Sequence, residues 1–261
     1  MGLELYNNFN LVKKLFQEAD EKLNYPISKI ILEGPDDQLQ QTKNTQPAIL
    51  TVSCSIFKVL KDEFDFDIST VSYFAGHSLG EYSALVCSGA INFGDALYLL
   101  HERGKAMQEA VPLGKGSMIA VLGLKIEEVN KLLKETISKD GTCEIANDNA
   151  DGQVIISGDN DSVQFFQKIL KEKKIKSIPL KVSAPFHCNL MKPAAEKMKE
   201  KINNTKFNNP LLKIINNVTA NVEIDSDKIK KLLIDQIFST VRWRESILKM
   251  SEDGVEKFIE I

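Results

Sequence analysis

The chain has 261 residues, enough for one large domain or for one domain carrying a smaller insert. Hydrophobic residues make up 43% and charged residues 26%, which excludes a disordered chain. A formal net charge of −3, with no basic cluster interleaved with aromatics, excludes a general nucleic-acid binder.

The four cysteines, Cys54, Cys87, Cys143 and Cys188, lie far apart and form no CxxC pair. That spacing expects reduced thiols rather than a disulfide framework or a zinc site. No apolar run reaches membrane-spanning length, and the first residues lack the layout of a signal peptide. The expectation is a soluble cytoplasmic protein with no membrane partner.

Residues 3 to 24 read as one amphipathic helix, because Leu5, Phe9, Val12, Phe16, Ala19 and Leu23 recur at three- and four-residue steps. Pro26 closes that stretch. A second helix is expected to open after Gln46-Pro47, with the proline at a first-turn position, and to bury Ile49, Val52, Ile56 and Val59. Residues 71 to 75 read as a buried strand ended by Gly76. Residues 79 to 88 and 92 to 111 read as helices, the second opened by Asn92 and Asp95 as a cap pair.

Between 117 and 182 the pattern changes. Strands are expected at 117–122, 142–146, 154–157 and 175–182, with helices at 127–137 and 162–173. The order is βαββαβ, the ferredoxin-like signature, and it expects a small domain at 114–183 inserted into a larger one made of 1–113 and 184–261. Beyond it a helix is expected at 193–202, a strand at 211–216, a helix at 228–238 and a strand at 256–261.

Gly76-His77-Ser78-Leu79-Gly80 matches G-x-S-x-G and falls between the 71–75 strand and a helix. A sharp turn there exposes the serine, glycines on either side let the backbone close up, and the helix start offers free N–H groups to an oxyanion. The Leu79 N–H would be one such donor. Ser78 with Glu81 also fits an S-x-x-E capping box, in which the serine would do no chemistry.

A serine nucleophile needs a group to take its proton, and the chain has three histidines. His77 adjoins the serine and cannot easily face the same hydroxyl. His101 reads as a helix-surface residue. His187, in the non-periodic stretch from 183 to 191, is preferred as the base.

On the 92–111 helix, Arg103 falls on the apolar stripe of Ala96, Leu100, Met107 and Ala110, beside Gly104, which thins the helix. An arginine turned to the core needs an anion, and a guanidinium can clamp a carboxylate with two hydrogen bonds. These residues suggest an acyl group carrying its own carboxylate.

The motifs together resemble the malonyl-CoA:acyl carrier protein transacylases of fatty acid synthesis and the acyltransferase domains of polyketide synthases. The matching segments are Thr45-Gln46-Pro47-Ala48-Ile49, 76–84, 103–108, 146–149 with 153–158, 183–191, Asn216-Asn217-Val218 and Val241-Arg242-Trp243. The resemblance implies an α/β fold: an α/β-hydrolase-like core with a parallel sheet plus the ferredoxin-like insert. It implies Ser78 as nucleophile, His187 as base and Gln236 orienting that base through its backbone carbonyl. Arg103 would pair with the malonyl carboxylate. Gln46, His77 and Phe186 would line the substrate pocket, with Phe186 matching the malonyl-selecting pattern.

Malonyl-CoA and acyl carrier protein are the implied partners; no cofactor and no metal are implied. A lysine run, Lys168, Lys171, Lys173, Lys174 and Lys176, would suit an acidic carrier or form a solvated helix face. The family's opening Gly-Gln-Gly-Ser-Gln loop, a source of a second oxyanion donor, and its closing glycine-rich turn have no counterpart in this sequence. The competing expectations are a serine thioesterase or esterase, and an impaired family member that only binds acyl carrier protein.

Overall fold

The amphipathic repeat of the first 24 residues folds into two helices that bury one stripe and expose the other. The computed structural model describes residues 1–182 and 184–261. In it α1 (Leu3–Asn8) and α2 (Asn10–Leu23) replace the single expected helix. The break is Phe9, whose backbone turns extended (φ −123°, ψ 118°) and whose ring meets Phe64 edge-on at 6.3 Å. Val12, Phe16 and Ala19 are buried as the spacing predicts, and Asn24 ends α2 in a left-handed cap (φ 54°). Two short helices that the periodicity did not reveal follow: α3 (Ile27–Glu33) and α4 (Asp36–Leu39).

The long helix α5 (Thr42–Glu63) starts before the expected proline, so Pro47 lies inside it. Pro47 has no N–H to give to the Lys43 carbonyl four residues back. That carbonyl is met instead by Nδ1 of His101 at 2.9 Å, which compensates for the missing bond. His101 is therefore buried between helices, not on a helix surface. The expected stripe of α5 is also displaced: Ile49, Val52 and Ile56 are half-buried. The face turned to the core carries Gln46, Leu50, Thr51, Cys54 and Ser55. Helix–helix contact on the polar side of α5 overrides its hydrophobic pattern.

Strand β1 (Tyr73–Ala75) is shorter than expected and only half-buried. Among the described residues it pairs only with β6 (Lys213–Ile215), in parallel, at one edge of a three-stranded sheet. β7 (Val222–Glu223) is antiparallel to β6, so this sheet is not purely parallel. Helices α6 (Gly80–Cys87) and α7 (Phe93–Ala110) follow β1 in the expected order. The Asn92 side chain accepts the Asp95 N–H at 2.8 Å, as a cap should.

A second sheet of order β3-β4-β2-β5 holds β2 (Gly116–Leu122), β3 (Cys143–Ala150), β4 (Gln153–Asp159) and β5 (Lys176–Pro179), with every pair antiparallel. Helices α8 (Ile126–Thr136) and α9 (Asn160–Glu172) cover one face. The period of two along each strand divides the apolar residues. Ile119, Val121, Val154 and Ile156 pack on Val129, Leu133, Phe166 and Leu170. Met118, Ala120, Ala146 and Ile155 pack on the opposite face, against Phe186. Phe186 also touches the main core, so one aromatic ring joins the two bodies.

The remaining helices are α10 (Lys192–Asn204), α11 (Ser226–Gln236) and α12 (Trp243–Glu252); the last was not expected. Residues 256–261 form no strand; they lie alongside no strand partner among the described residues. Expectations that fall on Ser183, the last residue of the predicted small domain, lie outside the described residues. Phe166 is fully buried beneath the four-stranded sheet. Phe166→Ala should destabilise the protein by about 3–5 kcal/mol, read as a lower urea midpoint at unchanged slope.

Candidate active site

The turn between β1 and α6 depends on one missing side chain. A Cβ at Gly76 would lie 2.0 Å from the carbonyl carbon and oxygen of Gly80, so only glycine allows the chain to double back so tightly. A Cβ at Gly80 would meet nothing, so the second glycine of the motif does not carry that steric demand. The turn forces Ser78 into left-handed backbone (φ 53°), a conformation that costs a non-glycine residue about 1–3 kcal/mol.

Asn217, just after β6, holds the strained turn on both sides. Its Oδ1 accepts the Ser78 N–H at 2.7 Å and its Nδ2 donates to the Gly76 carbonyl at 2.8 Å. The Ser78 hydroxyl meets His187 and Arg103 rather than a backbone N–H of the helix. The cap position of α6 is Leu79 and no side chain caps it, so Ser78 and Glu81 do not form a capping box.

The Ser78 Oγ lies 2.8 Å from Nε2 of His187. Nδ1 of His187 is 2.8 Å from the Gln236 backbone carbonyl, which can only accept. The proton is therefore on Nδ1, and the Nε2 lone pair faces the serine hydroxyl. His187 also has a positive φ of 58°. Burial, and then the charge of Arg103, push its pKa down to about 3, so the ring is neutral. The Leu79 N–H has no acceptor among the described residues and starts α6 beside the serine.

Arg103 is 1% exposed and reaches the same hydroxyl: Nη2 donates to Ser78 Oγ at 3.1 Å and to Gln236 Oε1 at 2.9 Å. Its Nη1 donates to Gln46 Oε1 at 2.7 Å, while Nε has no acceptor among the described residues. The helix crossing that permits this is close. A Cβ on Gly104 would come within 2.5 Å of the Lys43 Cα and 2.6 Å of the Thr42 carbonyl.

Gln236 is fully buried and serves four groups at once. Its carbonyl orients His187, its Oε1 receives Arg103, and its Nε2 donates to Glu81 Oε2 at 2.7 Å and to the Ser78 carbonyl at 3.1 Å. Sequence reasoning gave Gln236 a backbone role only and gave Glu81 and Asn217 none. Glu81 was visible as the fourth residue of a capping-box pattern and Asn217 as one of an Asn-Asn pair after a strand. Neither pattern says that the side chain turns inward.

His77 faces away from the hydroxyl. Its Nε2 is 2.9 Å from Asn149 Oδ1, and its ring meets Trp243 at 5.6 Å. Burial lowers its pKa. β3 supplies Asn149 because its register shifts between Ile145 and Asn147 and again between Asp148 and Ala150. Phe186 lies next to His187 and is half-buried. A groove of 850 Å³ between α8 and the 238–245 segment extends to His187. No cluster of potential metal ligands occurs among the described residues.

The whole chain, residues 1–261, matches the family model described as an acyl transferase domain. The chain belongs to the acyl transferase family. It is 43% identical to the malonyl CoA-acyl carrier protein transacylase of Bacillus subtilis strain 168, over all of this chain and 81% of that protein. The transacylase of Escherichia coli K12 is 38% identical over all of this chain and 84% of its own length. Among solved structures, the acyl-carrier-protein-S-malonyltransferase of Bartonella henselae aligns with a TM-score of 0.94 at 40% identity, covering 98% of this chain and 81% of that one. A malonyl-transacylase solved in complex with a type II polyketide synthase acyl-carrier protein aligns with a TM-score of 0.92 at 38% identity, covering 98% of this chain and 82% of that one. The acyl transferase chain is thus mixed α/β like its solved relatives.

Two outcomes test the site geometry. Gly104→Ala forces α5 off α7, moves Gln46 from Arg103, and should lower kcat/KM for an acyl thioester by roughly tenfold or more. Because His187 stays neutral well below its ordinary value, labelling of Ser78 by a neutral fluorophosphonate should change less than about twofold from pH 8 to pH 6. An unperturbed imidazole would lose more than half its neutral form over that range.

Proposed function

We propose that this acyl transferase moves a malonyl group from coenzyme A to the phosphopantetheine thiol of acyl carrier protein in fatty acid synthesis. The observation that carries the reading is Arg103: a buried guanidinium bonded to the nucleophilic hydroxyl itself, with an Nε–H that has no acceptor among the described residues. A carboxylate on the acyl group would take that cation at the distance that brings its thioester carbon to Ser78.

In the first half-reaction His187 Nε2 takes the Ser78 proton as Oγ bonds to the thioester carbon. The oxyanion is received by the Leu79 N–H at the positive end of α6. The C–S bond then breaks, His187 returns the proton to the departing coenzyme A thiolate, and a malonyl-serine ester remains. In the second half the carrier thiol gives its proton to His187 and its sulfur attacks the ester carbon; the C–Oγ bond breaks and His187 passes the proton to Ser78 Oγ, restoring the free serine. Gln236 fills the place of a triad carboxylate, holding the imidazole by its carbonyl.

The malonyl carboxylate has a second effect. Arg103 is the largest cause of the low His187 pKa after burial. A carboxylate on Arg103 offsets that charge, so the base strengthens when a diacid arrives and stays weak for a neutral acyl group. Hydrolytic thioesterase chemistry gains nothing from such an arginine.

We assign the elbow, the parallel β1–β6 pair and the flanking helices to an α/β-hydrolase-like core, residues 1–113 and 184–261. Residues 114–183 form a ferredoxin-like insert, supported by the strand order β3-β4-β2-β5 and by both helices lying on one face. Gln46, His77 and Phe186 line the acyl and pantetheine path. Lys171, Lys173, Lys174 and Lys176 are exposed and give an acidic carrier a receiving surface. No helix among the described residues is long and apolar enough to cross a membrane.

Labelled malonyl-CoA should leave a stable acyl ester on Ser78 and none on Ser78→Ala. Arg103→Ala should lower kcat/KM for malonyl-CoA by roughly a hundredfold while changing acetyl-CoA turnover far less. Equal losses for both thioesters would defeat the assignment of Arg103.

A further inference from the structure

Glu81 is a carboxylic acid with no role in the reaction as written, and it is 1% exposed at the first turn of α6. A buried carboxylate needs a reason to be there. Its Oε2 accepts the Asn217 N–H at 3.1 Å and the Gln236 Nε2–H at 2.7 Å. On the other side of the same carboxamide, Gln236 Oε1 accepts from Arg103. The two buried charges are thus linked through one amide, cation to oxygen and nitrogen to anion.

The carboxamide cannot turn over. Reversed, it would set its NH2 against the guanidinium and its oxygen against Glu81 Oε2, the Ser78 carbonyl and Asn217 Oδ1. This bridge differs from a direct salt bridge in one respect. A carboxylate touching Arg103 would occupy its donors, whereas an anion one amide away offsets the charge without taking any of them, and among the described residues Nε–H has no acceptor.

We infer that Glu81 is the resident counter-ion of Arg103 in the empty site, and that an incoming acyl carboxylate displaces it from that role. The inference rests on malonyl transfer as the reaction. Two anions that compete for one cation weaken each other, and the effect is reciprocal. Bound malonyl carboxylate therefore favours the protonated form of Glu81, and neutral Glu81 favours bound malonyl.

The surroundings allow that proton to move. Burial raises the Glu81 carboxyl to about 7 against the pull of Asn217, Gln236 and Arg103. The other titratable or charged groups around it are Arg103 on α7 and Tyr82 on its own helix, the latter held neutral with its pKa pushed up to about 12. Gln236 from α11 and Asn217 from the segment after β6 do not titrate, and the neutral His187 is linked to the network through the Gln236 carbonyl and the Ser78 hydroxyl.

The test uses the full chain with Ser78→Ala to prevent turnover, and calorimetric titration with malonyl-CoA and acetyl-CoA at pH 7 in two buffers of different ionisation enthalpy. Malonyl-CoA should bind with net proton uptake and acetyl-CoA with none. Adding Glu81→Gln, which keeps an acceptor in place but removes the charge, should abolish the uptake and tighten malonyl-CoA binding by roughly fivefold, leaving acetyl-CoA unchanged. Absence of proton uptake with malonyl-CoA in the Ser78→Ala protein would overturn the inference even if the double variant failed to fold. So would unchanged or weaker malonyl-CoA binding in a folded double variant, or equal tightening for both thioesters. If neither thioester binds the Ser78→Ala protein, malonyl transfer itself fails and this inference falls with it.

Discussion

The active site depends on keeping a serine in backbone it would otherwise avoid. Ser78 has a positive φ because β1 must reverse into α6 within a few residues, and Gly76 is the residue that lets the chain close. The strain is held by groups distant in sequence: Asn217 on both sides of the serine and Gln236 on its carbonyl. His187, also in left-handed backbone, is fixed by the carbonyl of that same glutamine. Nucleophile and base are strained together and restrained by one shared network, which is how an active site keeps a costly geometry without local stability.

Placing the arginine is a separate problem, and two helices solve it by close approach. At Gly104 no side chain separates α7 from the start of α5, and this brings Gln46 and Arg103 into contact. The proline inside α5 leaves a carbonyl open, and His101 fills it. The cation is thereby fixed by amides rather than by a carboxylate, and it keeps its charge for a ligand.

Much of this was legible in the sequence where a local rule governs. The elbow, the Asn92 cap, the arginine on an apolar stripe and the alternation of the four small-sheet strands each depend on residues within a turn or two of one another. The inward turn of Glu81 and the double grip of Asn217 depend on residues more than 130 positions apart, and no spacing encodes that. Pro47 misled for a related reason: its helix is anchored by a histidine from another element, so a breaker became an interior residue. The 256–261 strand failed because alternation predicts an extended chain but not a neighbour to pair with. The half-buried β1 likewise shows that an apolar run does not by itself fix how many strands lie beside it.

The β3 strand has one more consequence. Past its first register shift it bridges through Asn147 to Val241, and Asp148 forms an ion pair with Arg244 at 2.8 Å. Asn149, the next residue, holds His77, the immediate neighbour of the nucleophile. The four-stranded sheet thus meets the elbow through Asn149 and meets the residue before the base, Phe186, which packs on Ala146 of the same strand and on its neighbours. The nucleophile and the base therefore each have an adjacent residue anchored in the same small sheet, His77 by a hydrogen bond and Phe186 by packing.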